Sequence, residues 1–159
     1  MHAVDLSIVT FRPDLPLLRQ LLQSLAAEAG DGLRLNLLVH DNTPETGSAE
    51  AIRAMPEASL TGFARVEVHA SAQNVGFGRG HNANAARGEA PWLLVLNQDC
   101  VVEPGALASL VAGASGTVTP GPVSGWSGRC PTPGTARATA SARQTTAKMV
   151  NTSARRSIS

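Results

Sequence analysis

The chain has 159 residues, 43% of them hydrophobic and 16% charged, with a formal net charge of +1, a length that accommodates one domain or slightly more. No apolar run of about 18 residues is present, which excludes a transmembrane helix, and MHAVDLSIVTFRPD at the N-terminus has no basic region ahead of an apolar stretch, so no secretory leader is expected. Cys100 and Cys130 are too few for a disulfide scaffold or a cysteine-based zinc site, and a reducing, cytoplasmic setting is expected.

Residues 4–11, VDLSIVTF, form a β-branched and apolar run that Arg12-Pro13 breaks, which predicts a strand. In residues 14–29 leucines fall at 15, 18, 21, 22 and 25, one face of a helix, with Asp14 as N-cap, Pro16 in the first turn and Gly30 as the stop. Residues 34–40, RLNLLVH, predict a second strand, ended by Asp41-Asn42-Thr43-Pro44. A short helix is expected at about 47–55 and a third strand at 64–70, ARVEVHA. The segment that follows, SAQNVGFGRGHNANAARGEA, reads as a glycine-rich loop and then a helix over 80–87. Residues 91–97, PWLLVLN, make an apolar run between Pro91 and Gln98-Asp99, as a buried central strand does. A last helix is expected at 104–112, with Pro104 near its start.

Strands that alternate with helices imply a mainly parallel sheet covered on both faces. Such sheets bind ligands at the carboxyl ends of their strands, so Thr10, Asp41 and Asp99 are the first candidates. Beyond residue 113 the pattern stops. Residues 1–113 hold 7 Arg and all 12 acidic residues, whereas 114–159 hold 5 Arg, one Lys and no acid. The later segment has six large apolar side chains in 46 residues, too few to offset the entropy of ordering it. The expected organisation is a folded domain over 1–113 and a basic, low-complexity, disordered tail over 114–159.

Three segments carry chemistry. Asn97-Gln98-Asp99 puts a carboxylate just beyond a buried strand, where it can hold a divalent cation that neutralises a diphosphate. An aspartate in a strand-to-loop turn is the plain alternative. Asn74-Val75-Gly76-Phe77-Gly78-Arg79-Gly80-His81-Asn82 lets backbone approach a ligand closely, with Arg79 for a phosphate or a base and Asn74 and Asn82 for a sugar or base edge. Its glycines lack the spacing of the dinucleotide fingerprint and follow the third strand, not the first. Asp41-Asn42-Thr43 can hold a nucleoside or make an Asx turn. His2, His40, His69 and His81 show no ligand spacing and are expected to have no chemical role, and Cys100 is expected to pack at a strand end.

In order, LSIVTF, VHDNT, NVGFGRGHN and LLVLNQD followed by VVEPGAL resemble the donor half of a family 2 glycosyltransferase, the inverting GT-A type, over residues 4 to about 112. The rhamnosyltransferase-like branch is the most similar, through its Leu-Asn-x-Asp strand end and its N-x-G-F-G-x-x-x-N loop. The resemblance implies that Thr10 and Phe11 wall the nucleotide pocket, and that Asp41 contacts the base. It implies that Asn74, Gly76, Arg79 and Asn82 face the nucleoside and its diphosphate. Asp99 matches the metal-binding aspartate of the family's DxD-like motif, with Asn97 in place of the first aspartate. The donor implied is a dTDP- or UDP-sugar, the sugar being rhamnose by the branch. The cofactor implied is Mg²⁺ or Mn²⁺, and the acceptor is a glycan or a lipid-linked glycan of cell-surface polysaccharide synthesis, made at the inner face of the membrane. Nucleic acid is not an expected partner.

The resemblance also fails in one place. The family's general base is a carboxylate in an acceptor half beyond the DxD-like segment, and no Asp or Glu follows Glu103 here. No catalytic residue is therefore assigned, and an incomplete, inactive form is expected. The Arg/Ala/Thr/Pro/Ser/Gly composition past residue 113 is what out-of-frame reading of GC-rich coding DNA produces. Two other readings remain open at this stage: a non-catalytic nucleotide-binding module whose basic tail meets anionic partners, and a different α/β enzyme of the dehydrogenase type.

Overall fold

The computed structural model describes residues 1–30, 32–45, 47–115, 135–140 and 145–151. Strands β1 (His2–Thr10), β2 (Leu33–Asp41), β3 (Phe63–Ala70) and β4 (Trp92–Leu96) alternate with helices α1 (Leu15–Ala27), α2 (Ser48–Arg53) and α3 (Phe77–Arg87), and α4 (Ala106–Ser115) follows β4. The four strands are parallel, in the order β3-β2-β1-β4. The α/β architecture is the one expected from the alternating pattern. Asp14 caps α1 by accepting from the Leu17 amide at 3.1 Å, and Leu18, Leu21, Leu22 and Leu25 are its buried face.

Two segments of the basic tail also take part. β5 (Thr135–Ala140) and β6 (Thr145–Asn151) pair with each other, and β6 lies antiparallel on the free edge of β4. A central strand such as β4 carries two rows of backbone donors and acceptors, and β1 fills only one of them. The expectation of a structureless segment past residue 113 is revised for these two stretches, and α4 itself runs to Ser115. The rest of the tail, Cys130 included, lies outside the described residues.

The two faces of the parallel sheet have opposite chemistry, because successive side chains of a strand point to opposite sides. On one face Val4, Leu6 and Ile8 of β1, Leu35, Leu37 and Val39 of β2, and Leu94 and Leu96 of β4 pack in a continuous core with the α1 leucines and with Leu107 and Val111 of α4. On the other face Asp5, Ser7, Asn36 and His40 are buried, and α3 lies over them. The residues of α3 that meet the sheet are Gly80, His81 and Asn84, a polar seam on a helix.

Gly80 sets how closely α3 approaches. A Cβ there would lie 2.8 Å and 3.0 Å from the two methyls of Val9 and 3.2 Å from the His40 ring. Gly80→Ala is therefore expected to lower stability by about 1–3 kcal/mol through overpacking. Gly78, two residues away on the same helix, has nothing within 4 Å of that position. Gly78→Ala is expected to raise stability by up to about 1 kcal/mol through lower backbone entropy in the unfolded chain. Thermal melts of the two variants beside the wild type check the opposite signs.

Candidate functional site

The carboxyl ends of β1, β2 and β4 come out side by side, with Thr10 paired to Asp41 and Ile8 to Leu96. The junction of β1 and β2 is built on one carboxylate oxygen. Asp41 Oδ1 accepts from the Thr10 hydroxyl at 2.9 Å, from the Thr43 hydroxyl at 2.7 Å and from the Thr43 amide at 3.1 Å. The Thr43 hydroxyl in turn accepts from the Arg12 amide at 2.8 Å. Arg12 has φ +47°, left-handed backbone that a residue with a side chain adopts only when its surroundings hold it there. Its guanidinium lies 5.3 Å from the centre of the Phe11 ring and pairs with Glu45, which draws the Glu45 carboxyl below its usual pKa.

The second wall is the loop into α3. Asn42, 2% exposed, fastens this loop to β2 with both ends of its amide. Its Nδ2 donates to the Gly76 carbonyl at 3.2 Å, and its Oδ1 accepts from the Val75 amide at 3.2 Å. Asn74 folds back to accept from the Gly76 amide at 2.9 Å, the Asx-turn geometry. Gly76 has φ +84° and is the N-cap of α3. The helix therefore starts at Phe77, not at residue 80 as the glycine content suggested. One glycine makes the turn, and the next two already lie inside the helix.

The third wall is the segment after β4. Gln98 Oε1 accepts from the Phe11 amide at 3.4 Å, which ties this segment to β1. Cys100 is buried and donates to the Asn97 carbonyl at 3.0 Å. Burial, and then the Asp99 charge, push its thiol up to about 11. It is a neutral packing residue at a strand end, as its sequence context suggested. Asp99 itself is exposed.

Between the three walls lies an open cleft of about 370 Å³. Of the residues singled out from sequence, Thr10, Phe11, Asn74, Gly76, Asn97 and Asp99 line it. This is a cleft at the carboxyl ends of parallel strands, with the start of α3 on one side and a carboxylate on the other. The comparison with known proteins places it in a lineage. The sequence profile of the family "Glycosyl transferase family 2" matches residues 7–121.

The chain belongs to glycosyl transferase family 2.

Solved structures agree on the fold. S. aureus TarS superposes with a TM-score of 0.57 at 19% identity, covering 70% of this chain and 32% of TarS. TarS in complex with UDP-GlcNAc gives the same score and identity. The mannosyltransferase PcManGT from Pyrobaculum calidifontis, solved in complex with GDP-Man and Mn²⁺, superposes at 0.60 and 18% identity, covering 72% of this chain and 32% of that one. The fold is α/β and GT-A-like. The chain spans about a third of the length of these structures. No curated protein matches the sequence.

Within this family 2 domain the remaining sequence candidates lie off the cleft wall. Asp41 is 1% exposed and sits behind Thr10, holding the strand ends together. Arg79 and Asn82 are exposed on α3, because the helix turns Gly80, His81 and Asn84 to the sheet and leaves its other side to solvent. Four lining residues were not singled out: Val9, Asn42, Phe77 and Gln98. Each is a chain neighbour of a residue that was: the strand-end rule extends by one position to Val9, Asn42 and Gln98, and Phe77 follows Gly76 at the start of α3.

Asp99, Asn97 and Gln98 line the cleft and carry hard side-chain oxygens of the kind that Mg²⁺ or Mn²⁺ takes. Among the described residues no group of three or more His, Cys, Asp or Glu gathers to hold a metal. One carboxylate suits a cation whose other ligands are substrate phosphates and water.

Asn42→Ala removes both fastenings of the Asn74–Phe77 loop and strands the Val75 amide. A loss of about 1–3 kcal/mol is expected. Amide hydrogen exchange at Val75 and Gly76 should accelerate more than exchange in β1 or β2, and equal acceleration throughout would contradict the fastening role.

Proposed function

We propose that this chain is the donor-binding part of an inverting glycosyltransferase, and that the cleft holds a nucleotide-sugar with a divalent cation at Asp99. The observation that carries the reading is the convergence of three features on one cleft: the β1–β2 strand ends, the Asn74–Phe77 loop, and a carboxylate beyond β4. The bound states of TarS, with UDP-GlcNAc, and of PcManGT, with GDP-Man and Mn²⁺, support it.

Each residue of the cleft then has a task. The exposed Phe11 and Phe77 rings offer flat apolar faces to a base. The amide of Asn74 has its oxygen engaged by Gly76, so its amino group is the end that donates to a ligand. Asn97 and Asp99 would face the diphosphate end, and Asp99 with Asn97 would hold the cation. The cation, when bound, neutralises charge on the departing diphosphate. Transfer also requires a general base to take the proton of the attacking acceptor hydroxyl. No Asp or Glu follows Glu103 in this sequence, so no residue is assigned that task here. The donor proposed for this chain is a dTDP- or UDP-sugar, with rhamnose favoured by the branch resemblance. The acceptor is a glycan or lipid-linked glycan, reached from the cytoplasmic side at the membrane surface.

Isothermal titration of the full chain with UDP and dTDP, with Mn²⁺ and then with excess chelator, tests the reading. Affinity is expected to fall by at least about tenfold on removal of the cation. Asp99→Ala is expected to be weak in both conditions. Binding that is indifferent to both cation and substitution would exclude the assignment.

A further inference from the structure

His81 is 7% exposed and lies one helical turn after Phe77, whose ring meets it edge-on with centroids 4.2 Å apart and planes at 76°. Phe77 is 53% exposed and forms part of the cleft wall. His81 is thus the support on which that wall rests.

The hydrogen bonds around His81 define its protonation. Asn84 Nδ2 faces the backbone carbonyls of Ile8 at 3.1 Å and Leu38 at 3.0 Å, while Arg87 donates to the other end of the amide at 2.5 Å, so Nδ2 is the amino end. The same amino group, its two hydrogens shared among three acceptors, lies 2.9 Å from the Ser7 hydroxyl oxygen, which therefore turns a lone pair toward Asn84. Among the described residues the acceptor for the Ser7 hydrogen is His81 Nδ1, at 2.7 Å. This pattern assigns Nδ1 as the unprotonated nitrogen and places the proton of neutral His81 on Nε2. Nε2 is buried and has no hydrogen-bond partner among the described residues.

A second proton has to enter on Nδ1. Ser7 would then face a donor on each side, and its own hydrogen would lose its acceptor. The titratable group that faces His81 from β2 is His40, a base that can only add positive charge. His40 in turn faces His69 on β3 at 5.1 Å between ring centres, Arg87 on α3, and the Asp41 carboxylate. Burial, and then His40, hold the His81 imidazole down to about 4. Burial, and then His69 and Arg87, lower His40 as well.

We propose that His81 is a positioning residue for the cleft: while neutral it holds the first turn of α3 and the Phe77 wall in place, and its protonation releases them, so that nucleotide binding is lost in acid. The ligand half of this statement rests on the cleft being a nucleotide site. The direction follows from linkage. The released imidazole has the ordinary value of 6.5 and the held one about 4, so the released state takes up the extra proton between those values. Across that window the held state weakens by up to about tenfold per pH unit.

The test uses the full chain with isotope-labelled histidine and phenylalanine, titrated by NMR from neutral to about pH 4, with UDP affinity measured in Mn²⁺ over the same range. The expected result has four parts. His81 is the Nε2–H tautomer at neutral pH, its apparent protonation midpoint lies between about 4 and 6.5 because release is coupled to it, and a Phe77 ring resonance moves with that midpoint. UDP affinity falls at least about tenfold further in the wild type than in His81→Gln, a comparison that cancels protonation of Asp99. An Nδ1–H tautomer, a midpoint no lower than 6.5, an unmoved Phe77 ring or superimposable affinity profiles would each overturn the proposal. If His81→Gln does not fold, Ser7→Ala replaces it. Removing the hydroxyl that occupies Nδ1 is expected to raise the midpoint, and an unchanged midpoint overturns the proposal. If the wild type does not bind UDP at neutral pH, the nucleotide reading fails instead. The tautomer and the Phe77 shift need no ligand and still decide the His81 role.

Discussion

The amide of Asn84 is the interaction on which the cleft depends. A helix on a sheet is usually held by a stripe of apolar side chains. α3 has few, and its buried face is Gly80, His81 and Asn84. Asn84 takes the place of that stripe by reaching between β1 and β2 to the carbonyls of Ile8 and Leu38 and to the Ser7 hydroxyl. Hydrogen bonds are directional where apolar contacts are not. They fix the rotation of α3 as well as its distance from the sheet, and with it the placement of the Asn74–Phe77 loop at the helix start.

The opposite face of the sheet works by other physics. There the α1 leucines and the α4 residues Leu107 and Val111 bury apolar surface against Val4, Leu6, Ile8, Leu94 and Leu96. That side supplies most of the driving force for folding, since burial of apolar area is the dominant favourable contribution. The strand ends then need only local cross-links to become a site. Thr10, Thr43 and Arg12 provide them around Asp41, and Gln98 joins the β4 end to Phe11. The division of labour is between an apolar face that holds the sheet together and a polar face that aims the binding elements.

What could be read from the sequence follows the same division. The apolar face announces itself by periodicity: leucines at 18, 21, 22 and 25 defined α1, and the run from Trp92 to Leu96 defined β4. Of the strand-end positions that followed from the parallel order, Thr10 and Asp99 line the cleft, and Phe11, Asn74, Gly76 and Asn97, suggested by the motifs and the family resemblance, line it beside them. The polar face left no such trace. Asn84 and Ser7 look like surface residues in a sequence, and His81 carries no ligand spacing, because their partners are 46 to 77 residues away. The start of α3 was misplaced because glycine content was read as loop, when Gly76 alone makes the turn. The pairing of β5 and β6 was also invisible. The segment has little apolar surface, and its strands are placed by backbone pairing, β6 on the β4 edge and β5 on β6.

The buried Asp5 has a consequence for how the sheet assembles. Its carboxylate accepts from Asn36 on β2 at 2.8 Å and from the Ala90 amide just before β4 at 2.8 Å, so it bridges both neighbours of β1. A slip of β1 by one residue against β2 would send Leu6 and Ile8 to the polar side, and would drive Asp5 and Ser7 into the leucine core. An unpaired carboxylate in that setting costs several kcal/mol. A single acidic residue at position 5 therefore acts as an alignment mark, penalising every odd-numbered misalignment while the chain is still choosing its partners.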